Sequence, residues 1–345
     1  MSNYLPEALR ATVAENAKSV DKNEKSAAYV LELLRDADLT GKDVKTSVNV
    51  IRELSREDLS VGFTTWATFS TYTFLVSAGT AYGDTQAGKL VEEARPGVTG
   101  MAGSFKELAG AGEIDLTSEK VEGGYRINGK LGWASNLYEN AIVVTGAKDA
   151  EGNKIIFSFE AGHEGVGFGR PFGLLGLNAT QSSWATFDDV FIPQEQVLTE
   201  NFGDYMVSVR PAFVLGQIAE CLGVAEAANA AAEPKLTGIK ETFRADHAKS
   251  VELTADVAQR WEALVEKAAS GEQLTDVIEL LELRLDASDA AVTAANIEVR
   301  VAGGAGYASS SSTSRRYREA SFIPVQSPSE AQLRFQLEQA RAKIA

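Results

Sequence analysis

The stretch 125–193 decides the fold: it opens with YRINGKLGWASN (125–136) and closes with GLNATQSSWATFDDVFIP (176–193). Tyr125, Ile127, Leu131 and Trp133 are separated by polar residues around the turn pair Asn128-Gly129. That is the period of a strand with one buried face. Further short strand candidates are Ile114/Leu116, 141–145, 155–159 and 184–187, divided by Glu122-Gly123-Gly124 and by 149–153. Closely spaced strands without intervening helices predict an antiparallel barrel or sandwich, not a doubly wound sheet.

On either side the pattern is helical. After Thr40-Gly41, Val44, Val48, Ile51 and Leu54 recur on one helix face. The uncharged run 63–78, rich in Thr, Ser and aromatics, predicts a helix buried on most sides. Pro96 and VTGMAGS (98–104) mark a boundary. Beyond about Asn201, the small residues Gly216, Ala219, Gly223, Ala225, Ala227 and Ala228 predict a helix that neighbouring backbones approach closely. Leu253, Val257, Trp261, Leu264 and Ala268 form an apolar stripe, a Leu-rich segment covers 277–301, and a last helix starts near Ser329. The expected architecture is α+β and multidomain. It has a helical domain (1–96), an antiparallel barrel or sandwich (97–200), which the resemblance given below makes a β-barrel, and a C-terminal four-helix bundle (201–345).

At 345 residues the chain is too long for one compact core. A net charge of −15 argues against nucleic acid, whose binding rests on neutralising phosphates, and against anionic membrane surfaces. No apolar run approaches the ~20 residues of a bilayer span, and MSNYLPEALR lacks the pattern of a secretory signal. A lone Cys221 excludes an internal disulfide and a multi-cysteine zinc site. With His163 and His247 read as surface or satisfied histidines, no metal site is expected, and the cytoplasm is the default location.

The motifs are short. AGGAGY (302–307) follows a helix and precedes a serine run, so it fails as a dinucleotide fingerprint and reads as a helix C-cap with a tight turn. GMAGS (100–104) offers N–H groups and a hydroxyl to a phosphate, or is a plain domain-entry loop. Arg315-Arg316-Tyr317-Arg318 could grip a phosphate or carboxylate, although charge runs are usually solvated. In WASN (133–136), Trp133 and Ser135 are the residue types an isoalloxazine ring needs: an aromatic face and a hydroxyl donor. Both are equally the stuff of a β core and a turn. No GxSxG, HExxH or Walker A motif is present.

Taken in order, these pieces resemble the acyl-CoA dehydrogenase superfamily of flavoproteins over nearly the whole chain. YRINGKLGWASN is similar to its "Y-x-L-N-G-x-K-x-W-I-T-N" segment, and LLGLNATQSSWATFDDVFIPQEQVL (174–198) to its "K-x-G-x-R-x-S-x-T…F-x-D-V-x-V-P" segment. AGGAGY with RRYREA (315–320) is similar to "GG-x-GY…R-x-x-RDA", RELSREDLSVGF (52–63) to its N-terminal helices, and RPAFVLGQIAECLGVAEAA (210–228) to its first long bundle helix. The resemblance implies FAD held between barrel and bundle, a small-molecule substrate such as an acyl-CoA, and a homodimer or homotetramer. It implies that Trp133 and Ser135 face the flavin and that Thr99, Gly103 and Ser104 lie near its phosphates. Gly303 and Gly304 would reach the partner's FAD. The electron acceptor is left open.

The departures bear on the reaction. The family's usual base is a glutamate in "Y-E-G-T", a place that Ser327 occupies here; the alternative base position is Val209. Phe105 stands for the aspartate of the "GSD" loop, and the "R-x-x-FG" phosphate segment is unrecognisable in 233–247, with Arg244 a stand-in. Three functions follow as expectations. One is an FAD-dependent oxidoreductase acting on CH–CH groups of an acyl thioester, with a displaced base such as Glu220, Glu226 or Glu330. Another is a flavin-dependent monooxygenase using reduced flavin and O2, which needs no such glutamate. The third is a non-catalytic homologue acting as a binding partner.

Overall fold

The computed structural model describes residues 4–343, so the outermost residues of the predicted terminal domains lie outside it. The chain begins with α1 (Glu7–Asp21), α2 (Tyr29–Asp36), α3 (Val44–Glu57), α4 (Leu59–Ser77) and α5 (Ala81–Glu92). Asp43 caps α3 by accepting from the Thr46 N–H. Asp58 ends α3 and caps α4 by accepting from the Val61 N–H, satisfying a donor that the first turn would leave orphaned. The uncharged α4 is buried along most of its length. Its hydroxyls are hidden cheaply: Thr65, Thr68 and Thr71 each donate to the carbonyl one turn back.

Next come β1 (Gly97–Gly100), α6 (Ala102–Leu108), β2 (Leu116–Val121), β3 (Gly124–Ala134), β4 (Ile142–Lys148), β5 (Lys154–Glu160), β6 (Val166–Phe168), β7 (Ser183–Pro193) and β8 (Val197–Thr199). They form one sheet in the order β6-β7-β3-β2-β4-β5-β8, with β1 beside β4. Most pairs are antiparallel, as the short strand spacing implies. The sheet is nevertheless mixed, because β1 runs parallel to β4 and β2 meets β4 in parallel at Thr117–Lys148. One expectation fails here. Asn128-Gly129 is not a hairpin turn; it lies inside β3, where the register against β7 shifts. Gly129 has φ +127°, and a Cβ there would sit 2.8 Å from the Asp115 carbonyl oxygen. The backbone freedom that makes Asn-Gly a turn serves equally at a bulge. The β2–β3 reversal falls instead at Glu122-Gly123, where Val121 pairs with Gly124.

The C-terminal part contains α7 (Phe202–Ala232), α8 (Arg244–Ala269), α9 (Val277–Ala302), α10 (Gly304–Tyr307), α11 (Ser312–Ala320) and α12 (Glu330–Ala342). The central helix α7 packs against α3, α4, α8 and α9, while α12 packs on α9. Gly223 is why α3 can lie so near: a Cβ on it would stand 2.4 Å from the Arg52 carbonyl oxygen. By length and composition the segment 202–235 is long and apolar enough to cross a bilayer, although charged residues such as Arg210, Glu220 and Glu226 interrupt it. Of its apolar 18-residue stretch 72% is buried inside the protein, the pattern of a core helix. Gly303, at φ +66°, ends α9 as the C-cap reading of AGGAGY expects.

Candidate functional site

A cleft of about 480 Å³ opens where α4, β1, the end of β3 and the α11–α12 connection meet. The turn after β3 builds its outer wall. Asn136 takes a left-handed φ of +61° and is fully buried. Its amide donates to the carbonyls of Thr64 and Gly97, at 3.2 and 3.1 Å, pinning the strand end to α4 and β1. With the corner fixed, Trp133 and Ser135 both line the cleft. Trp133 is 65% exposed, and its ring lies 4.3 Å from that of Phe172. The Ser135 hydroxyl shares a 2.7 Å hydrogen bond with Ser182, which meets Thr180 at 2.9 Å. Thr99 on β1 and Ser327 complete the polar side, while Phe63, Trp66, Leu174 and Leu175 supply apolar surface.

Other predicted residues lie elsewhere. Gly103 and Ser104 sit in α6, within the protein: Ser104 is 1% exposed, and its hydroxyl fills the space a side chain on Gly146 would need. Phe105, at the family's aspartate position, is a core residue stacked 4.5 Å from Phe213. Gly303 and Gly304 stand on open surface at the end of α9, where an added Cβ would meet nothing. The arginines of 315–318 are neither solvated nor free for a phosphate. Arg315 is buried between Asp58 (3.5 Å) and Glu319 (2.9 Å), Arg316 grips Glu298 at 2.6 and 2.8 Å, and Arg318, on the cleft rim, holds Asp21 with two 2.7 Å bonds. Arg244 is likewise engaged, by Glu241 and Glu233. His163 and His247 each bond a backbone carbonyl, of Phe191 and Asn229. Among the described residues no group of three or more His, Cys, Asp or Glu could hold a metal.

The two family base positions differ in kind. Val209 is fully buried in the apolar core, whereas Ser327 lines the cleft. Of the three displaced carboxylates, Glu226 is bound by Arg52 and Arg56 on the α3 side, and Glu330 by Arg334. Only Glu220 is close behind the cleft. It accepts a 2.7 Å hydrogen bond from the amide of Gln326, a cleft-lining residue. Burial pushes its pKa up to about 8, against the pull of the Gln326 hydrogen bond and the Arg284 charge. Arg284, itself buried, donates to the Ile323 carbonyl at 3.2 Å and, more loosely, to Gln217 and Gln326. Ser182, Gln217, Arg284 and Gln326 escaped the sequence reading, which named Glu220 alone of this inner layer, as one of three displaced bases. The serine was legible only as the distant Ser182-Ser183 of the second motif.

FAD, the cofactor implied by the resemblance, fits what is present. The exposed indole of Trp133 offers an aromatic face, and the Ser135 hydroxyl beside it is held in place by donating along the chain Ser182, Thr180 and the Leu177 carbonyl, with its lone pairs left as acceptors. Among the described residues no free cation lines the cleft: Arg318, on its rim, is bound to Asp21.

No protein-family model matches the sequence. A short-chain-specific acyl-CoA dehydrogenase of Megasphaera elsdenii is 26% identical over 323 residues, covering 87% of this chain and 82% of that protein. A glutaryl-coenzyme A dehydrogenase solved with glutaryl-CoA superposes with a TM-score of 0.85 at 17% identity, over 100% of this chain and 98% of that one. The butyryl-CoA dehydrogenase of Megasphaera elsdenii does so with 0.85 at 19% identity, over 99% and 100%. Along most of its length the chain is similar in sequence to an acyl-CoA dehydrogenase, and its fold is that of the acyl-CoA dehydrogenases.

Proposed function

We propose that the protein is an FAD-dependent oxidoreductase that acts on the CH–CH group of an acyl thioester bound in this cleft. One observation carries the reading. Thr99, Trp133, Ser135 and Ser327, far apart in sequence, line a single cleft of about 480 Å³, within the usual size of a small-molecule site. Bound FAD supplies the two-electron acceptor. Trp133 and Phe172 give the ring system an apolar wall, and Ser135 with Ser182 gives it oriented hydroxyls. Phe63, Trp66, Leu174 and Leu175 exclude water along the acyl path. A homodimer or homotetramer belongs to this reading. So does a cytoplasmic location, in keeping with a single buried cysteine.

A second reading, a monooxygenase that uses reduced flavin and O2, is favoured by one observation: the cleft is lined by Ser327 at the place where a carboxylate base is expected. Anaerobic mixing of the FAD-loaded protein with short-, medium- and long-chain acyl-CoAs separates the two. Bleaching of the flavin band by any of them supports the first reading. A flavin that stays oxidised with all of them, yet reacts rapidly with O2 after chemical reduction, supports the second.

A further inference from the structure

Behind the cleft wall lies a polar cluster that the proposed contacts leave unused. Gln217 and Glu220, one turn apart on α7, hold the wall from within. Gln217 donates its amide to the Ser327 carbonyl at 2.9 Å, and Glu220 accepts from the Gln326 amide at 2.7 Å. Arg284 of α9 closes the cluster through Gln217, Ile323 and Gln326. Gln217, Glu220 and Arg284 are each 0–1% exposed. Three buried atoms have no partner in the protein: Glu220 Oε1, Arg284 Nη1 and Ser327 Oγ. Buried polar atoms are satisfied as a rule, and where the protein supplies no partner ordered water typically does. Ser327 belongs to the cleft lining with its Oγ buried in the wall, and Glu220 stands behind it, so the orphaned atoms mark a polar route from the cleft wall to a carboxylate.

We propose that Glu220 is the proton acceptor of the cleft, reached from it through the Ser327 hydroxyl and an ordered water. The inference rests on the acyl-thioester reading above. The C–H bond α to the carbonyl breaks, and its electron pair stays on the substrate as an enolate. The Ser327 hydroxyl, buried in the wall at rest and brought to the cleft by rotation about its Cα–Cβ bond, takes the proton as it passes its own to the water, which passes one to the Glu220 carboxylate. Serine and water end as they began, and the carboxylate becomes a carboxylic acid. Arg284 is the charged group facing Glu220 from α9, and the Cys221 thiol is its titratable neighbour on α7. Burial keeps much of Glu220 protonated at neutral pH, and the Arg284 charge opposes this. The accepting form therefore grows as pH rises towards about 8. Glu220 acts through Ser327, so it is a positioning and proton-holding residue rather than one that touches substrate.

The test is deuterium incorporation α to the carbonyl of butyryl-, octanoyl- and palmitoyl-CoA, with FAD-loaded protein in anaerobic D2O, read by mass spectrometry. Wild type is expected to exchange, faster as pH rises through about 8. Glu220→Gln, which keeps an acceptor for Gln326, is expected to slow exchange by about 10²–10⁴-fold and flatten the pH profile. Ser327→Ala is expected to slow it too, Glu220→Asp to retain part of it, and Glu330→Gln to leave it unchanged. In cofactor-free protein, the infrared carbonyl band of a buried carboxylic acid is expected in wild type and not in Glu220→Gln. Exchange at the wild-type rate in Glu220→Gln overturns the proposal while the acyl-thioester reading stands. So does exchange by Ser327→Glu when wild type shows none. If neither wild type nor Ser327→Glu binds any of the three thioesters, the acyl-thioester reading fails and the proposal falls with it.

Discussion

Gln326 stands between the cleft and Glu220, lining the first and donating its amide N–H to the second at 2.7 Å. The bond ties the α11–α12 connection to the central helix and leaves the carboxylate fully buried. It also gives the protein a pH dependence of definite sign. Burial raises Glu220 from its ordinary 4.5 to about 8. Between those values the folded protein holds a proton that the unfolded chain has released. The associated stability is complete below the ordinary glutamate range and is lost as pH rises through about 8. Urea unfolding of wild type, compared with Glu220→Gln at several pH values, should show the difference moving against wild type as pH rises. The slope is at most about 1.4 kcal/mol per pH unit. A difference that does not vary with pH would mean that Glu220 is ionised across the range.

Trp133→Ala should weaken FAD binding while leaving the fold intact. The side chain is 65% exposed and touches chiefly Phe172, so the melting temperature of the cofactor-free protein should not fall. An aromatic stacking contribution of about 0.5–1.5 kcal/mol corresponds to roughly two- to twelvefold weaker binding, measurable by fluorescence titration.

Gly223→Ala should destabilise the core by about 1–3 kcal/mol, the usual cost of overpacking. The added methyl would meet the Arg52 carbonyl oxygen at 2.4 Å and the Ser55 Cβ at 2.7 Å, both on α3, and backbone cannot swing aside as a long side chain can. Gly203→Ala, with nothing near its Cβ, is the control in the same urea series.

Arg315→Ala should cost about 3–5 kcal/mol, because it leaves buried carboxylates without their cation. Asp58 is fully buried, Glu319 nearly so, and Arg315 lies between them while also donating to the Glu57 carbonyl. Chemical denaturation measures the loss.

The fold was legible because each part announces itself locally. Val44, Val48, Ile51 and Leu54 fall on one face of α3, and 277–301 is α9 almost to the residue. Trp133 and Ser135 were legible because one strand end carries both. Asn128-Gly129 misled because a bulge and a turn ask the same of the backbone. The arginines of 315–318 were harder still: their partners Asp21, Asp58 and Glu298 are remote in sequence and become neighbours only on folding. The inner layer of Gln217, Glu220, Arg284 and Gln326 has the same character. It joins α7, α9 and the α11–α12 connection, and no spacing within one helix signals it.

The central claim is that this cleft binds FAD, and the flavin content of the protein tests it most directly. After incubation with FAD and removal of the excess, the absorption spectrum should show a flavin band equivalent to about one FAD per chain, with markedly less retained by Trp133→Ala. A folded, monodisperse protein that stays colourless under the same treatment would contradict the account.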